Sequence, residues 1–401
     1  MNSKVTLIYV DAGGGHRAAA TALREAIRRQ NRPWDIEMVA TQDIFSSVDF
    51  IRKYTGIQFQ DVYNIILRRG WTLGSSHMIR AMHQVIRLSH SSQLAALNRY
   101  FSQSRPDIVV SLIPHFNRAI QESLNQVWPG VPCVTVLTDI ADYPPHFWME
   151  PPDSHGNPQH VICGSERAEA QARQIGLPCD CIFRTSGMIL HPRFYEPIDM
   201  DRGVERTRIG LRPEIPTGLV LFGGEGSAEM VEIAEALDQA DTPLQLIMLC
   251  GKNADVAAKL RSRQTQEGEK RVPMFVEGFT RDIPLYMELA DFFIGKPGPG
   301  SISEALAKRL PVIVERNSWT LAHEKYNADW VEEQGFGLVV RVWGEGICGA
   351  VERLLAPENY SGFRQRVANT RNRAVFEIPA MLDEILTRPE KAQYMALIAS
   401  R

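Results

Sequence analysis

Short apolar runs alternate with longer stretches of helical period along most of the chain, the pattern of parallel α/β layers. In the first half, Val5–Val10, Ile36–Val39, Ile108–Leu112, Val131–Leu137 and His160–Cys163 predict strands, with helices over His16–Arg29 and Arg118–Val127 among the stretches between them. The alternation lapses over Gly187–Arg212, a stretch with Pro192 and Pro197 and with Pro213 just beyond it, which suits an interdomain linker. A second series then starts, with strands at Leu219–Phe222, Leu244–Cys250, Met274–Glu277, Phe292–Ile294 and Val312–Val314. Its helices are expected at Ser227–Leu237, Ala254–Arg263, Pro284–Ala290, Ser301–Lys308 and Glu324–Gln334. The expectation is an α/β protein of two doubly wound domains in tandem, residues 1–195 and 196–401, which suits a chain of 401 residues. Ligands in such sheets bind outside the carboxyl ends of the strands, so the loops there carry the functional reading.

The first loop is Asp11-Ala12-Gly13-Gly14-Gly15-His16-Arg17-Ala18, between a strand and a helix. Its glycines let backbone N–H groups approach an oxygen-rich ligand at a helix N-terminus. A ligand-free tight turn has the same form. His16 adds chemistry: in a first helical turn a positive imidazole is opposed, which favours the neutral form that accepts protons. Gly223-Gly224-Glu225-Gly226-Ser227 repeats the device after the first strand of the second series.

The strongest signal is Lys296-Pro297-Gly298-Pro299-Gly300-Ser301-Ile302-Ser303-Glu304. Bare amides at Gly300 and Ser301 suit a diphosphate, and Glu304 can accept both hydroxyls of a ribose. The competing reading is a capping box, Ser301-x-x-Glu304, in which Glu304 only closes a helix end. His323, Glu324 and Asn327 open another helix at a strand exit, where polar groups can meet sugar hydroxyls or simply water. In the first half Thr138-Asp139, His146 and Pro114-His115 lie at or beyond adjacent strand ends, as an acceptor pocket would place them.

Charge is uneven. Arg52–Arg118 holds nine basic residues and two acids in a chain of net charge −3. Apolar residues around Trp71 interleave with those arginines, a composition suited to docking on anionic headgroups, or to a helix pair with a basic outer face. The small overall charge gives no reason to expect nucleic acid. The six cysteines lack zinc-like spacing, so no metal site is expected, and five lie in or beside apolar runs, as free thiols of a reducing compartment do. No apolar run is long enough to span a bilayer.

These residues together resemble the monogalactosyldiacylglycerol synthases. Gly13-Gly14-Gly15-His16-Arg17-Ala18 is similar to their opening loop, and Lys296 through Ser301 with Glu304-Ala305 to their donor loop. Glu324 and Asn327 match a Gln-Glu-x-x-Asn element, and the agreement runs over roughly residues 4 to 375. The peptidoglycan N-acetylglucosaminyltransferase that forms lipid II is a more distant likeness. The resemblance implies a GT-B fold of two Rossmann-like domains facing a cleft, a UDP-sugar as co-substrate with no cofactor and no catalytic metal, and inversion at the anomeric carbon. It implies Gly223, Gly224, Lys296, Gly298, Gly300, Ser301 and Glu304 on the nucleotide diphosphate, Phe279-Thr280 at the uracil, and His323, Glu324 and Asn327 near the sugar. His16 is then the base, with Asp139 as second choice, and Gly13, Gly14, Gly15, His115 and His146 lie on the acceptor side. His323 replaces the family's Gln, and Ala322 stands where the family has a small residue before it, so the sugar is left open among galactose, glucose and N-acetylglucosamine. The expected partners are a UDP-sugar, a lipid acceptor such as diacylglycerol and an anionic membrane surface, at the cytoplasmic face of the inner membrane. The rivals are a UDP-sugar 2-epimerase and a non-catalytic lipid-binding module.

Overall fold

The computed structural model describes residues 2–10, 14–45, 83–143, 146–152, 159–264 and 271–388. They form two compact units, one reaching to Pro192 and resuming at Asn372, the other running from Arg193 to Arg371.

The first unit is a parallel six-stranded sheet of Ser3–Tyr9 (β1), Trp34–Ala40 (β2), Ile108–Ser111 (β3), Cys133–Val136 (β4), His160–Cys163 (β5) and Ile182–Arg184 (β6). Its order is β2-β1-β3-β4-β5-β6. β3 and β4 are buried throughout, Ser111 and Thr135 included, as expected of parallel strands covered on both faces. Gly15–Arg29 (α1) turns Ala19, Leu23, Ala26 and Ile27 inward at helical spacing. After β2 the chain crosses back to lay β3 on the other side of β1. The order therefore reverses between β1 and β3, and the loops leaving these two strands flank the crevice where such sheets bind ligands.

The second unit contains Thr217–Leu221 (β7), Gln245–Leu249 (β8), Met274–Glu277 (β9), Phe292–Gly295 (β10), Val312–Glu315 (β11) and Gly337–Val340 (β12), all parallel. Their order, β12-β11-β10-β7-β8-β9, is that of the dinucleotide-binding Rossmann sheet. It reverses between β7 and β10, the strands that carry the second glycine loop and the Lys296 loop.

Two sequence expectations need correction. The stretch expected as a linker contains a helix, Arg202–Arg208, capped by Asp201, whose side chain accepts the Val204 N–H. Arg206 is buried there, donating to the Leu289 carbonyl at 2.7 Å and to Asp291 at 2.7 Å. The division at residue 195 also misses that the last described helix, Ala374–Leu386, belongs to the first unit. Its Ile378, Leu382 and Ile385 pack with Val5, Leu7 and Leu23, and Asp383 pairs with Arg32 at 2.9 Å. An amphipathic helix carries no label saying which of two sheets it covers.

Candidate functional site

In the second unit, β10 runs directly into Pro299–Ala307 (α2). Gly298 is the N-cap, Pro299 occupies the first turn, and no side chain caps this end. The helical ladder opens with Ile302 N–H on the Gly298 carbonyl, so the amides of Gly300 and Ser301 precede it without an intrahelical acceptor. A Cβ on Gly300 would meet nothing within 4 Å, so this end is bare. Around Gly298 stand Lys296, Glu324 and Ser301, each within 4 Å of where its Cβ would lie. Lys296 pairs with Glu324 at 3.1 Å, and its aliphatic stem lies 3.9 Å from the Cβ position of Gly223 on the β7 loop. Gly223 is left-handed at φ 75°, and the Gly224 carbonyl accepts the Lys252 N–H, which ties the β7 loop to the one after β8. One cation and two free amides thus meet at the switch point, an arrangement suited to an anionic oxygen cluster.

The helix start removes one of the two readings of Glu304, the capping box. Since it begins at Pro299, Glu304 sits past the first turn and is no capping residue. Loss of hydration raises its carboxyl to about 7, against the lowering effect of the Arg193 guanidinium. Glu304 is half-buried, and a partly dehydrated carboxylate gains from hydroxyl donors supplied by a ligand. Phe279, after β9, is an exposed aromatic at 59 % accessibility, and the Thr280 hydroxyl accepts the Asp282 N–H beside it.

Asn327 is anchored through one half of its amide: its Nδ2 donates to the Pro297 carbonyl at 2.8 Å and holds the Lys296 loop, while its Oδ1 is buried without a hydrogen-bond partner among the described residues. Glu324 is buried at the entry to Lys325–Gln334 (α3), and His323 is half-buried beside it. Two carboxylates that sequence reasoning missed join the cluster. Glu315 ends β11, and burial, then the Glu229 charge, raises it to about 7. Burial also raises Glu229, with Lys296 opposing. A folded chain that keeps the Glu315 proton up to about 7, where the ordinary value is 4.5, loses stability as pH rises through that window. Glu315→Gln should therefore raise stability at pH 5 by less than about 1 kcal/mol and at pH 8 by up to about 3 kcal/mol. Denaturant unfolding at the two pH values checks this, and an equal change at both would contradict it.

In the first unit, Gly14 is left-handed at φ 81° and is the N-cap of α1, which makes a glycine necessary there. Gly15 and His16 form the first turn, and Gly13 lies outside the described residues. His16 is half-buried, its Nδ1 lies 3.1 Å from the Thr138 hydroxyl, and its ring stands 5.8 Å from that of Trp148. The carboxylate of Asp139 is engaged: it accepts the Trp148 indole N–H at 2.8 Å. Trp148 is fully buried, and its backbone N–H donates to Asp142 at 2.7 Å. Burial raises Asp142 to about 7, against the lowering effect of the N–H groups it accepts. His115 is left-handed at φ 69°, its Nδ1 lies 2.9 Å from that of His83, and its ring packs 4.2 Å from Phe147. His146 is also left-handed, and burial, then Arg87, holds it below the usual imidazole range. The structure thus brings His16 together with Thr138, Asp139 and Trp148, and His115 joins them through Phe147, whose ring stands 6.4 Å from that of Trp148. Among the described residues no group of three His, Cys, Asp or Glu side chains is placed to hold a metal. No helix among them is long and apolar enough to cross a membrane. Residues 52–82 of the basic segment, with Arg68, Arg69, Trp71 and Arg80, lie outside them.

Residues 219–347 match the glycosyltransferase family 28 C-terminal domain. The chain is 28% identical over 362 residues to monogalactosyldiacylglycerol synthase 3 of Arabidopsis thaliana, covering 84% of this chain and 71% of that one. It is 27% identical over 411 residues to the monogalactosyldiacylglycerol synthase of Spinacia oleracea, covering 96% and 72%. Among solved structures it superposes on MurG of Acinetobacter baumannii with a TM-score of 0.61 at 11% identity, covering 96% of this chain and all of the other. It also superposes, at 0.57 and 13%, on a Listeria monocytogenes protein assigned as a candidate UDP-N-acetylglucosamine 2-epimerase, with 93% and 92% covered. The fold is GT-B, and the kinship expected from the glycine loops holds.

Proposed function

We propose, for a family 28 glycosyltransferase related to the monogalactosyldiacylglycerol synthases, that the reaction is transfer of a hexose from a UDP-sugar to a lipid hydroxyl, with inversion. The observation that carries this reading is the Gly300–Ser301 helix start, with Lys296 beside it and Glu304 beyond its first turn. The first-turn amides and Lys296 take the charge that develops on the departing diphosphate, which replaces the need for a cation. Glu304 holds the ribose and Phe279-Thr280 the base. Glu324 and His323 stand at the sugar, and Asn327 fixes the loop. In the first unit, His16 accepts the proton of the acceptor hydroxyl as its oxygen bonds to the anomeric carbon; Asp139 is the second choice. The bond from that carbon to the diphosphate oxygen breaks, and its electron pair leaves with UDP. Gly13, Gly14, Gly15, His115 and His146 belong to the acceptor side. Appearance of labelled sugar in a lipid extract tests the reading. The 2-epimerase shares the fold, and NMR of a UDP-sugar incubated with the protein alone separates the two, because only an epimerase produces a new sugar there.

The lipid acceptor calls for contact with a membrane surface. The described end of the basic segment presents Val85 and Leu88, at 60 % and 85 % accessibility, around Arg87. Each basic residue near an anionic bilayer contributes on the order of 1 kcal/mol, within a Debye length. Replacing Arg68, Arg69 and Arg80 by Glu is expected to abolish flotation with anionic vesicles at low salt and to leave UDP affinity unchanged. Equal flotation of variant and wild type would return the segment to a solvated basic face.

A further inference from the structure

The charges gathered at the Lys296 loop do not all favour an anion. Lys296 supplies a positive charge beside the free amides, and the buried Glu324 carboxylate holds its ammonium at 3.1 Å. Glu315 closes β11. The residue before it, Val314, is the register partner of Gly295, so Glu315 and Lys296 come next at the exits of two neighbouring strands, which lie roughly 5 Å apart. Glu229 opens the helix Glu229–Leu237 beyond the β7 loop and faces both Lys296 and Glu315. These carboxyl groups are fastened. Asn317 Nδ2 donates to Glu315 at 2.9 Å and to the Arg341 carbonyl at 3.0 Å. The Ser227 hydroxyl donates to Glu229 at 3.1 Å, and one turn further Glu232 accepts the Gly344 N–H at 2.9 Å. With Glu229, Glu315 and Glu324 all ionised, a diphosphate brought to Lys296 meets repulsion that one ammonium does not cancel.

We infer that Glu315, together with Glu229, is a counterweight to Lys296 that limits how tightly the site holds UDP and so speeds its release after transfer. The discrimination follows from ligand charge. In the donor the diphosphate is esterified at both ends, whereas in UDP the terminal phosphate is free and carries additional negative charge. Repulsion from Glu315 therefore falls harder on product than on donor. The effect depends on pH. The groups that face Glu315 are Glu229, Glu324, Asn317 and Trp343, and burial, then the Glu229 charge, raises its carboxyl to about 7. The counterweight is thus largely neutral at pH 6 and charged at pH 8.

The inference rests on a UDP-sugar as donor, and its test fails separately from that reading. UDP, and then UDP-galactose, UDP-glucose and UDP-N-acetylglucosamine, are titrated calorimetrically into the wild type and Glu315→Gln at pH 6 and pH 8. Comparing variant with wild type at one pH cancels the titration of UDP itself and of Glu304. At pH 8 Glu315→Gln should bind UDP roughly 5-fold tighter, and the UDP-sugars by a smaller factor. At pH 6 the gain for UDP should shrink to less than about 2-fold. A role confined to packing would leave affinity unchanged or lower it. Should Glu315→Gln fail to fold, Glu229→Gln carries the same expectation at pH 8. UDP affinity that is unchanged or weaker at pH 8, or a gain as large for the UDP-sugars as for UDP, overturns the inference and leaves the donor class standing. A wild type that binds neither UDP nor any of the three donors overturns the UDP-sugar reading itself, and the counterweight with it.

Discussion

Alanine at His16 is expected to remove sugar transfer while sparing UDP binding. The residue stands in the first turn of α1, in the first unit, whereas the diphosphate groups all lie at the β7/β10 switch point of the second. Loss of a general base commonly costs about 10²–10⁴ in rate. The measurement is kcat with a lipid acceptor, beside calorimetric titration of UDP into the same variant. Substitution leaves the helix N-cap intact, since Gly14 supplies it through its backbone conformation. An unchanged kcat with a raised acceptor KM would make His16 a binding group and move the base to Asp139. The Asp139 carboxylate is buried and accepts the indole N–H of Trp148 through Oδ2, which holds it in place.

The second large effect is expected at Glu304. Removing its carboxylate takes two charge-assisted hydrogen bonds from a ribose, about 2–3 kcal/mol, or roughly 30- to 150-fold in UDP affinity. The titration belongs at pH 8, above the raised value near 7, where the wild-type group is charged. Glu304→Gln keeps shape and acceptor capacity without the charge, and should fall between the two. Thermal stability should not fall in parallel, because the helix is not capped by this residue. Unaltered UDP affinity in Glu304→Ala would remove the ribose role.

Much of this was legible before any coordinates. Strands such as β3, β4 and β10 are short, mostly apolar runs bounded by turn residues, and that pattern finds them. The loops that carry chemistry were visible because glycine and proline at strand exits have few other uses. Strand order was not legible, since no local pattern tells β7 that its neighbours are β8 and β10. The two readings of Glu304 also could not be separated locally until the helix start was known. Pro299 held the clue: proline is favoured in the first turn, which places the start two residues before Ser301. Asn327 and Asp139 show the opposite limit. Their polarity marked them as ligand groups, and it gave no sign that Asn327 also holds the Pro297 carbonyl and Asp139 an indole N–H. Glu229 and Glu315 escaped notice because they lie 67 and 19 residues from Lys296 in sequence and meet its loop only through the order of the sheet.

The central claim is that sugar leaves a UDP donor for a lipid. It is tested most directly by incubating the protein with radiolabelled UDP-galactose, UDP-glucose and UDP-N-acetylglucosamine in turn, in the presence of total lipid extract, and counting the organic phase. The account predicts label in lipid from at least one donor, with stoichiometric UDP release, and none with His16→Ala. Lipid free of label from all three donors, with the donors left intact or recovered as epimers, would contradict it.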